Sequence, residues 1–289
     1  MKKISLLIFT FILILTTSGC FKKDNLDNIT IYTTNYPIEY LTTRLYGEHS
    51  TVQNIYPDGV DIEKYELKDK QIKDYSEGSL LIFNGLSNAK NYVAPMLKYN
   101  KKMKIIDTAL SLDYENYIEE LWLNPSNFLM LAQNIKNGLN EYITNHYLKK
   151  EINQNYENLK VEISNLDAKI KVMAESSSNK TIVVANDAFN FLSTKYGLNV
   201  ISLEENDNLT DKVKADVISM IQNNQISYIF TLEGKENNNT VNEIINATNV
   251  NTLELKTITN LTEKERENKE DYNTLMNYNI EQFKQELYD

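Results

Sequence analysis

The sequence predicts an α/β protein: two lobes of parallel βαβ units joined by one long connecting helix, with a ligand cleft between the lobes. Three observations carry this reading. Short β-branched runs alternate with helical spacings up to Asp107, a stretch almost without strand signal runs from Ser126 to about Glu175, and the alternation then resumes to the end of the chain.

The elements follow in order. Asn28–Thr34 is β-branched and alternating, a strand, with Pro37 in the turn after it and helical spacing over Ile38–Tyr46. Val52–Tyr56 reads as a second strand, closed by the turn signal Pro57-Asp58-Gly59. Lys68–Tyr75 is a helix, Ser79–Phe83 an apolar strand ending at Asn84-Gly85, Val93–Tyr99 a helix and Lys104–Asp107 a strand. Asn127–Ile143 is helical by spacing, and Leu159, Ile163, Leu166, Ile170 and Met173 recur at steps of three and four, an amphipathic helix of about 25 residues. Beyond Ser176-Ser177-Ser178-Asn179 come a strand at Thr181–Ala185 and a helix at Asp187–Tyr196 stopped by Gly197. Val200–Leu203, Tyr228–Thr231 and Thr252–Leu255 are strands; Asp211–Asn223, Thr240–Ala247 and Asp271–Leu287 are helices. Open α/β sheets bind ligands at the C-terminal ends of their strands, which places the site between the two lobes.

Composition narrows the function. The chain has 289 residues with net charge −10, one cysteine and two histidines, His49 and His146. The acidic balance argues against nucleic acid as a partner, which needs a basic face. A single cysteine excludes intrachain disulfides and thiolate clusters. With that cysteine committed as described next, and neither histidine in a motif, no Ser/His/Asp or Cys/His set can be assembled, so the chain does not read as an enzyme; paired glutamates alone would be its only support for glycoside chemistry. Phosphate-cradling glycine motifs do not occur.

The N-terminus reads Met1-Lys2-Lys3, an apolar run from Ile4 to Leu15, then Thr17-Ser18-Gly19-Cys20. The run is shorter than the roughly 20 residues a spanning helix needs, and small residues before a cysteine resemble a bacterial lipobox. The expected organisation is a signal peptide at 1–19, a lipidated tether at 20–28, a first lobe at 29–147, a connecting helix at 148–178 and a second lobe at 179–289. Cys20 is the expected lipid-bearing residue, holding an extracytoplasmic protein to the outer face of the cell membrane, since stable anchoring takes more than one acyl chain.

Six segments, in order, now resemble one family, the solute-binding lipoproteins of ABC importers for zinc and manganese. Asn35-Tyr36-Pro37-Ile38 resembles the stretch after that family's first strand, and Pro57-Asp58-Gly59-Val60-Asp61-Ile62-Glu63-Lys64-Tyr65-Glu66 its P-x-G-x-D-P-H-x-Y-E loop. Leu81-Ile82-Phe83-Asn84-Gly85-Leu86 resembles its third strand and turn, and Glu120-Leu121-Trp122-Leu123-Asn124-Pro125 its D-P-H-x-W-L-D-P motif. Asn186-Asp187-Ala188-Phe189 with Tyr196-Gly197-Leu198 resembles H-x-A-F … Y-G-L, and Asp271-Tyr272 … Met276 … Asn279 the start of the last helix. The resemblance implies two α/β lobes on a long helix, a permease partner, a monomer, and a divalent metal carried as cargo, with no resident cofactor.

It also implies that Glu63, Glu120, Asn186 and Lys256 stand where the family holds its metal, so that no histidine remains among the ligands. Glu63, Glu120 and Asn186 would then offer oxygen donors, which suit Mn²⁺ better than Zn²⁺. Lys256 offers no lone pair while charged, and is expected to pair with Glu63, Glu120 or both in place of the metal. Two other placements stay open: Lys256 pointing to solvent, and Glu119 rather than Glu120 facing the cleft. An alternative function follows from the same substitutions, a diverged binding module for a non-metal cationic or zwitterionic ligand, or for none, serving as a surface or adhesion lipoprotein.

With Cys20 as the sole acyl acceptor, Cys20→Ser is expected to abolish labelling by radioactive palmitate. Label still entering that variant would contradict the assignment.

Overall fold

The computed structural model describes residues 26–114 and 117–288; Cys20 and the signal segment lie outside the described residues. Two four-stranded sheets, all parallel, have the same strand order. The first is built from β1 (Ile29–Thr33), β2 (Ser50–Asn54), β3 (Leu80–Phe83) and β4 (Lys104–Asp107), ordered β2-β1-β3-β4. The second is built from β5 (Thr181–Val184), β6 (Asn199–Ser202), β7 (Tyr228–Leu232) and β8 (Asn251–Leu255), ordered β6-β5-β7-β8. Central strand β3 is a continuous apolar run, Leu80–Phe83 being buried throughout, as in a parallel sheet covered on both faces, whereas β1 alternates.

The crossover helices of the first lobe are α1 (Tyr36–Tyr46), α2 (Asp69–Tyr75) and α3 (Val93–Tyr99). Asn35 caps α1, accepting from the Ile38 amide at 3.0 Å, and Pro37 occupies the first turn, where its missing N–H costs nothing. After β4 the chain forms a short helix, α4 (Glu120–Leu123), then α5 (Pro125–Tyr142). The long helix α6 spans His146–Ser176, 31 residues, or about 46 Å at 1.5 Å per residue. Its stripe of Leu148, Ile152, Leu159, Ile163, Leu166, Ile170 and Met173 is buried as the spacing predicts. The second lobe adds α7 (Phe191–Tyr196), α8 (Asp211–Gln222), α9 (Asn239–Thr248), α10 (Glu263–Glu267) and α11 (Tyr272–Leu287).

Helix α6 packs against α1 and α5 on the first-lobe side and α7 and α11 on the second. One apolar cluster therefore runs through both lobes, with smaller clusters under the outer face of each sheet. The lobes are also joined directly. Phe128 stacks on Tyr272 with ring centroids 3.9 Å apart, and the Tyr272 hydroxyl donates to the Trp122 carbonyl at 2.5 Å. The Trp122 indole N–H donates to the Thr257 carbonyl at 2.8 Å, so the chain's one tryptophan ties α4 to the segment after β8.

Three expectations need adjustment. Leu26, assigned to the tether at 20–28, is buried in the core and its carbonyl accepts from the Tyr46 hydroxyl at 2.7 Å. The helix expected over Asp187–Tyr196 is broken into a 3₁₀ turn at Asp187–Phe189 and α7. Helices α4 and α10, of four and five residues, are additional; neither is long enough to present a repeat of helical spacing.

Trp122→Phe keeps an aromatic ring, though a smaller one, and removes the donor that satisfies a buried carbonyl. It is expected to lower stability by about 1–3 kcal/mol, read as a fall in the urea midpoint at unchanged slope. A midpoint equal to wild type would show that the indole N–H does not hold the lobes together.

Candidate functional site

The C-terminal ends of the two sheets face each other, and three loops carry charge into the space between them. The first is the loop after β2. Its Gly59 has φ +76°, a conformation that favours glycine, and its amide donates to the Leu261 carbonyl at 2.7 Å. Asn260 Nδ2 donates to the Pro57 carbonyl at 2.7 Å, so this loop is fastened to the second lobe on both sides of Asp58. Asp61 Oδ1 accepts from the Glu63 amide at 3.0 Å and sets the turn that presents Glu63. The second loop ends at Glu119, immediately before α4. The third follows β7, where Gly234 at φ +69° turns the chain and Lys235 projects back across the cleft.

Lys235 Nζ lies 3.0 Å from Glu63 Oε2 and 3.6 Å from Glu119 Oε1. One ammonium of the second lobe thus contacts two carboxylates of the first. Glu119 is 1% exposed and its Oε2 has no hydrogen-bond partner among the described residues. Burial raises the Glu119 carboxyl above the usual carboxylate range, and the Lys235 charge recovers only part of that cost. Burial works against the Lys235 charge as well, but the pull of Glu119 and Glu63 is larger and the ammonium is held above its ordinary range. The Tyr117 hydroxyl donates to Glu204 Oε2 at 2.7 Å, a further bond between the lobes.

Of the four residues expected in the cleft, Glu63 is at its centre. Asn186 lines the adjoining cavity of about 430 Å³ together with Glu63, Tyr117, Glu204 and Lys235. Its Oδ1 accepts from the Ala188 amide at 3.1 Å, as the cap of the 3₁₀ turn, which uses one of the two lone pairs a ligand would need.

Glu120 is a correction. It lines a separate cavity with Asp113, Asn124 and Asn190, and Glu119 takes the cleft position. Neighbouring helical residues diverge by about 100°, so the two glutamates cannot face the same way, and anchoring of α4 through Trp122 fixes Glu119 inward. Lys256 is a second correction. It pairs with Glu233 and with Glu265, the latter at 2.8 Å, within its own lobe and not with Glu63 or Glu120. The β7–β8 register sets Leu232 beside Leu255, which brings Glu233 alongside Lys256. Asn279 clamps the Lys256 backbone at both N–H and C=O, at 2.7 and 2.9 Å.

Lys235 is the residue that sequence reading missed. Its signal was a glycine and a lysine directly beyond the C-terminal end of an apolar parallel strand, the position where α/β sheets place ligand-contacting groups. Among the described residues no group of three or more His, Cys, Asp or Glu is arranged to hold a metal ion. His49 stands away from the cleft, with Nε2 3.0 Å from Glu151 on α6 and Nδ1 3.5 Å from Asp27.

Two like sheets thus stand on one long helix, with charged loops meeting between them. A family model described as zinc-uptake complex component A, periplasmic, matches residues 31–286, and the chain belongs to that family. It is similar to the zinc-binding lipoprotein AdcA of Streptococcus pneumoniae, 23% identical over 312 residues that cover 99% of this chain and 61% of the relative. The chain thus spans about three-fifths of the length of that relative. It is also similar to the manganese ABC transporter substrate-binding lipoprotein PsaA of the same species, 26% identical over 220 residues, or 68% of this chain and 70% of PsaA. Among solved structures, the Zn(II)-bound ZnuA-like domain of S. pneumoniae AdcA superposes with a TM-score of 0.71 at 20% identity, covering 91% of this chain and all of that one, which establishes the shared fold.

The raised Lys235 value fixes the sign of a pH effect. Its contribution to stability is complete at neutral pH and is lost as pH climbs above about 10.4 and through the folded-state value. Difference curves of urea midpoint against pH, wild type minus Lys235→Met, are expected to fall over that alkaline range. A flat difference would mean that the ammonium gains nothing from Glu63 and Glu119.

Proposed function

We propose that this chain is the extracytoplasmic solute-binding lipoprotein of an ABC importer of the zinc/manganese class, anchored through Cys20 and delivering a cation to a membrane permease. The observation that carries the proposal is the family match over residues 31–286. The names of the relatives, lipoproteins of zinc and manganese transport, favour the same reading. The role is binding and release of a solute, as the family match suggests.

The cleft of this chain has diverged. Glu63 and Glu119 are its charged donors and Asn186 its neutral oxygen, a set without the nitrogen and sulfur that Zn²⁺ prefers. Hard oxygens suit Mn²⁺ better, so Mn²⁺ is the divalent ion this cleft would take. Lys235 competes for the same two carboxylates and weakens that binding. An ammonium beside a divalent ion is repulsive, and a divalent ion must displace it.

Titrating Mn²⁺ and Zn²⁺ into the purified, chelator-free chain tests this. Wild type is expected to respond weakly to both. Lys235→Met is expected to gain in Mn²⁺ affinity by at least tenfold, and Lys235→Asp, which adds a third carboxylate, by more. At about 100 times the dissociation constant the gain in stability from the bound ion would be about 2.7 kcal/mol. A sub-micromolar Zn²⁺ site in wild type that survives substitution of His49 and His146 would overturn the divergent-site reading. Unchanged metal uptake in cells lacking the protein would overturn the importer role.

A further inference from the structure

Beside Lys235 lies a cavity of about 270 Å³ in which Glu63 and Glu119 meet a largely apolar wall. Tyr56, Ile62, Tyr117 and the Trp122 ring give it apolar and aromatic surface, and Glu119 and Thr259 give it polar atoms. The Glu119 side chain is almost completely buried. Its Oε1 faces Lys235, while its Oε2 and the Thr259 hydroxyl oxygen are buried without a hydrogen-bond partner among the described residues. A buried carboxylate oxygen left unpaired costs free energy, and a donor in the cavity would recover it once a small side-chain rotation turns that oxygen to the cavity wall.

The charge count points the same way. Glu63 and Glu119 carry two negative charges and Lys235 returns one, which leaves room for one positive charge. Four backbone donors near the cavity are already used. Asn35 holds the Ile38 amide, the Tyr36 amide donates to Thr259 O at 3.1 Å, and the Leu86 and Ala89 amides are held by Asn84 and Ser87. Those four amides are therefore not open to a solute carboxylate. An ammonium on an apolar body fits, since it brings up to three N–H donors and its charge is stabilised by aromatic faces. At roughly 30 Å³ per water the cavity equals about nine waters, room for a body of about ten non-hydrogen atoms.

We propose that this cavity binds a small organic monocation, a primary amine with an apolar or aromatic body, its ammonium held by Glu119 Oε2 and Thr259 Oγ1. The proposal deepens the solute-binding reading, on which it rests, by naming the class of solute that the wild-type cleft takes with Lys235 in place. Lys235 and the amine share Glu119 from opposite sides, so the solute completes a charge set that a divalent ion would overfill.

Calorimetric titration of the purified chain with phenethylamine and n-hexylamine, against the neutral 2-phenylethanol, tests the proposal. Saturable binding of at least one amine is expected, at least tenfold tighter than the alcohol. Glu119→Gln is expected to lose tenfold or more, and Ile62→Trp, which fills the cavity and leaves every charge in place, to lose binding while keeping the wild-type circular dichroism. Should Glu119→Gln fail to fold, Ile62→Trp alone carries the test. Silence from both amines, equal affinity for the alcohol, or undiminished binding in folded Ile62→Trp would overturn the amine site. Amines silent with Mn²⁺ still bound would leave the importer reading standing. Amine binding by the purified chain, with no uptake defect for amine or metal in cells lacking it, would overturn the importer reading and leave the site.

Discussion

The cleft depends on one ion triplet. Glu63 and Glu119 come from one lobe and Lys235 from the other, and no two of the three are close in sequence. Burying Glu119 without a counter-charge would cost several kcal/mol. The Lys235 ammonium offsets part of that cost without any bound solute. A tethered ammonium thus supplies, from within the chain, a positive charge to the two cleft carboxylates.

The frame makes this possible. The two sheets share a strand order and turn their C-terminal ends toward one another, with α6 packed against helices of both lobes through one continuous core. Trp122, Phe128 and Tyr272 seal the boundary close to α4, and their bonds decide which of two adjacent glutamates looks into the cleft. Across the mouth, Arg266 pairs with Glu39 at 2.8 Å and with Asp58, both on the opposite lobe. The positions of Glu63 and Glu119 are therefore consequences of lobe packing, and the cleft chemistry inherits its geometry from apolar contacts some distance away.

Much of the fold was legible in sequence because its signals are local. Val93–Tyr99 and Lys104–Asp107 have the bounds their spacing predicts, and the apolar stripe of α6 is a property of one helix. The site was legible only where a loop motif fixed it. Glu63 sits in such a loop, but choosing between Glu119 and Glu120 needs the rotation of a four-residue helix, which no periodicity reports. Lys256 and Lys235 both lie beyond the end of a parallel strand and are equivalent by pattern. Pairing of β7 with β8 puts Glu233 next to Lys256 and satisfies it locally, and the left-handed Gly234 sends Lys235 the other way. That choice is made by tertiary contacts across the lobe boundary.

A double-mutant cycle between Lys235 and Glu119 tests the central claim most directly. Stability is measured for wild type, Lys235→Met, Glu119→Gln and the double variant, and the coupling is the departure from additivity. If the ammonium balances the buried carboxylate, Lys235→Met strands a charge, and adding Glu119→Gln recovers a large part of the loss, with a coupling of about 0.5–3 kcal/mol. Losses that add within about 0.3–0.5 kcal/mol would contradict the account, since Lys235 and Glu119 would then share a cleft without sharing a charge.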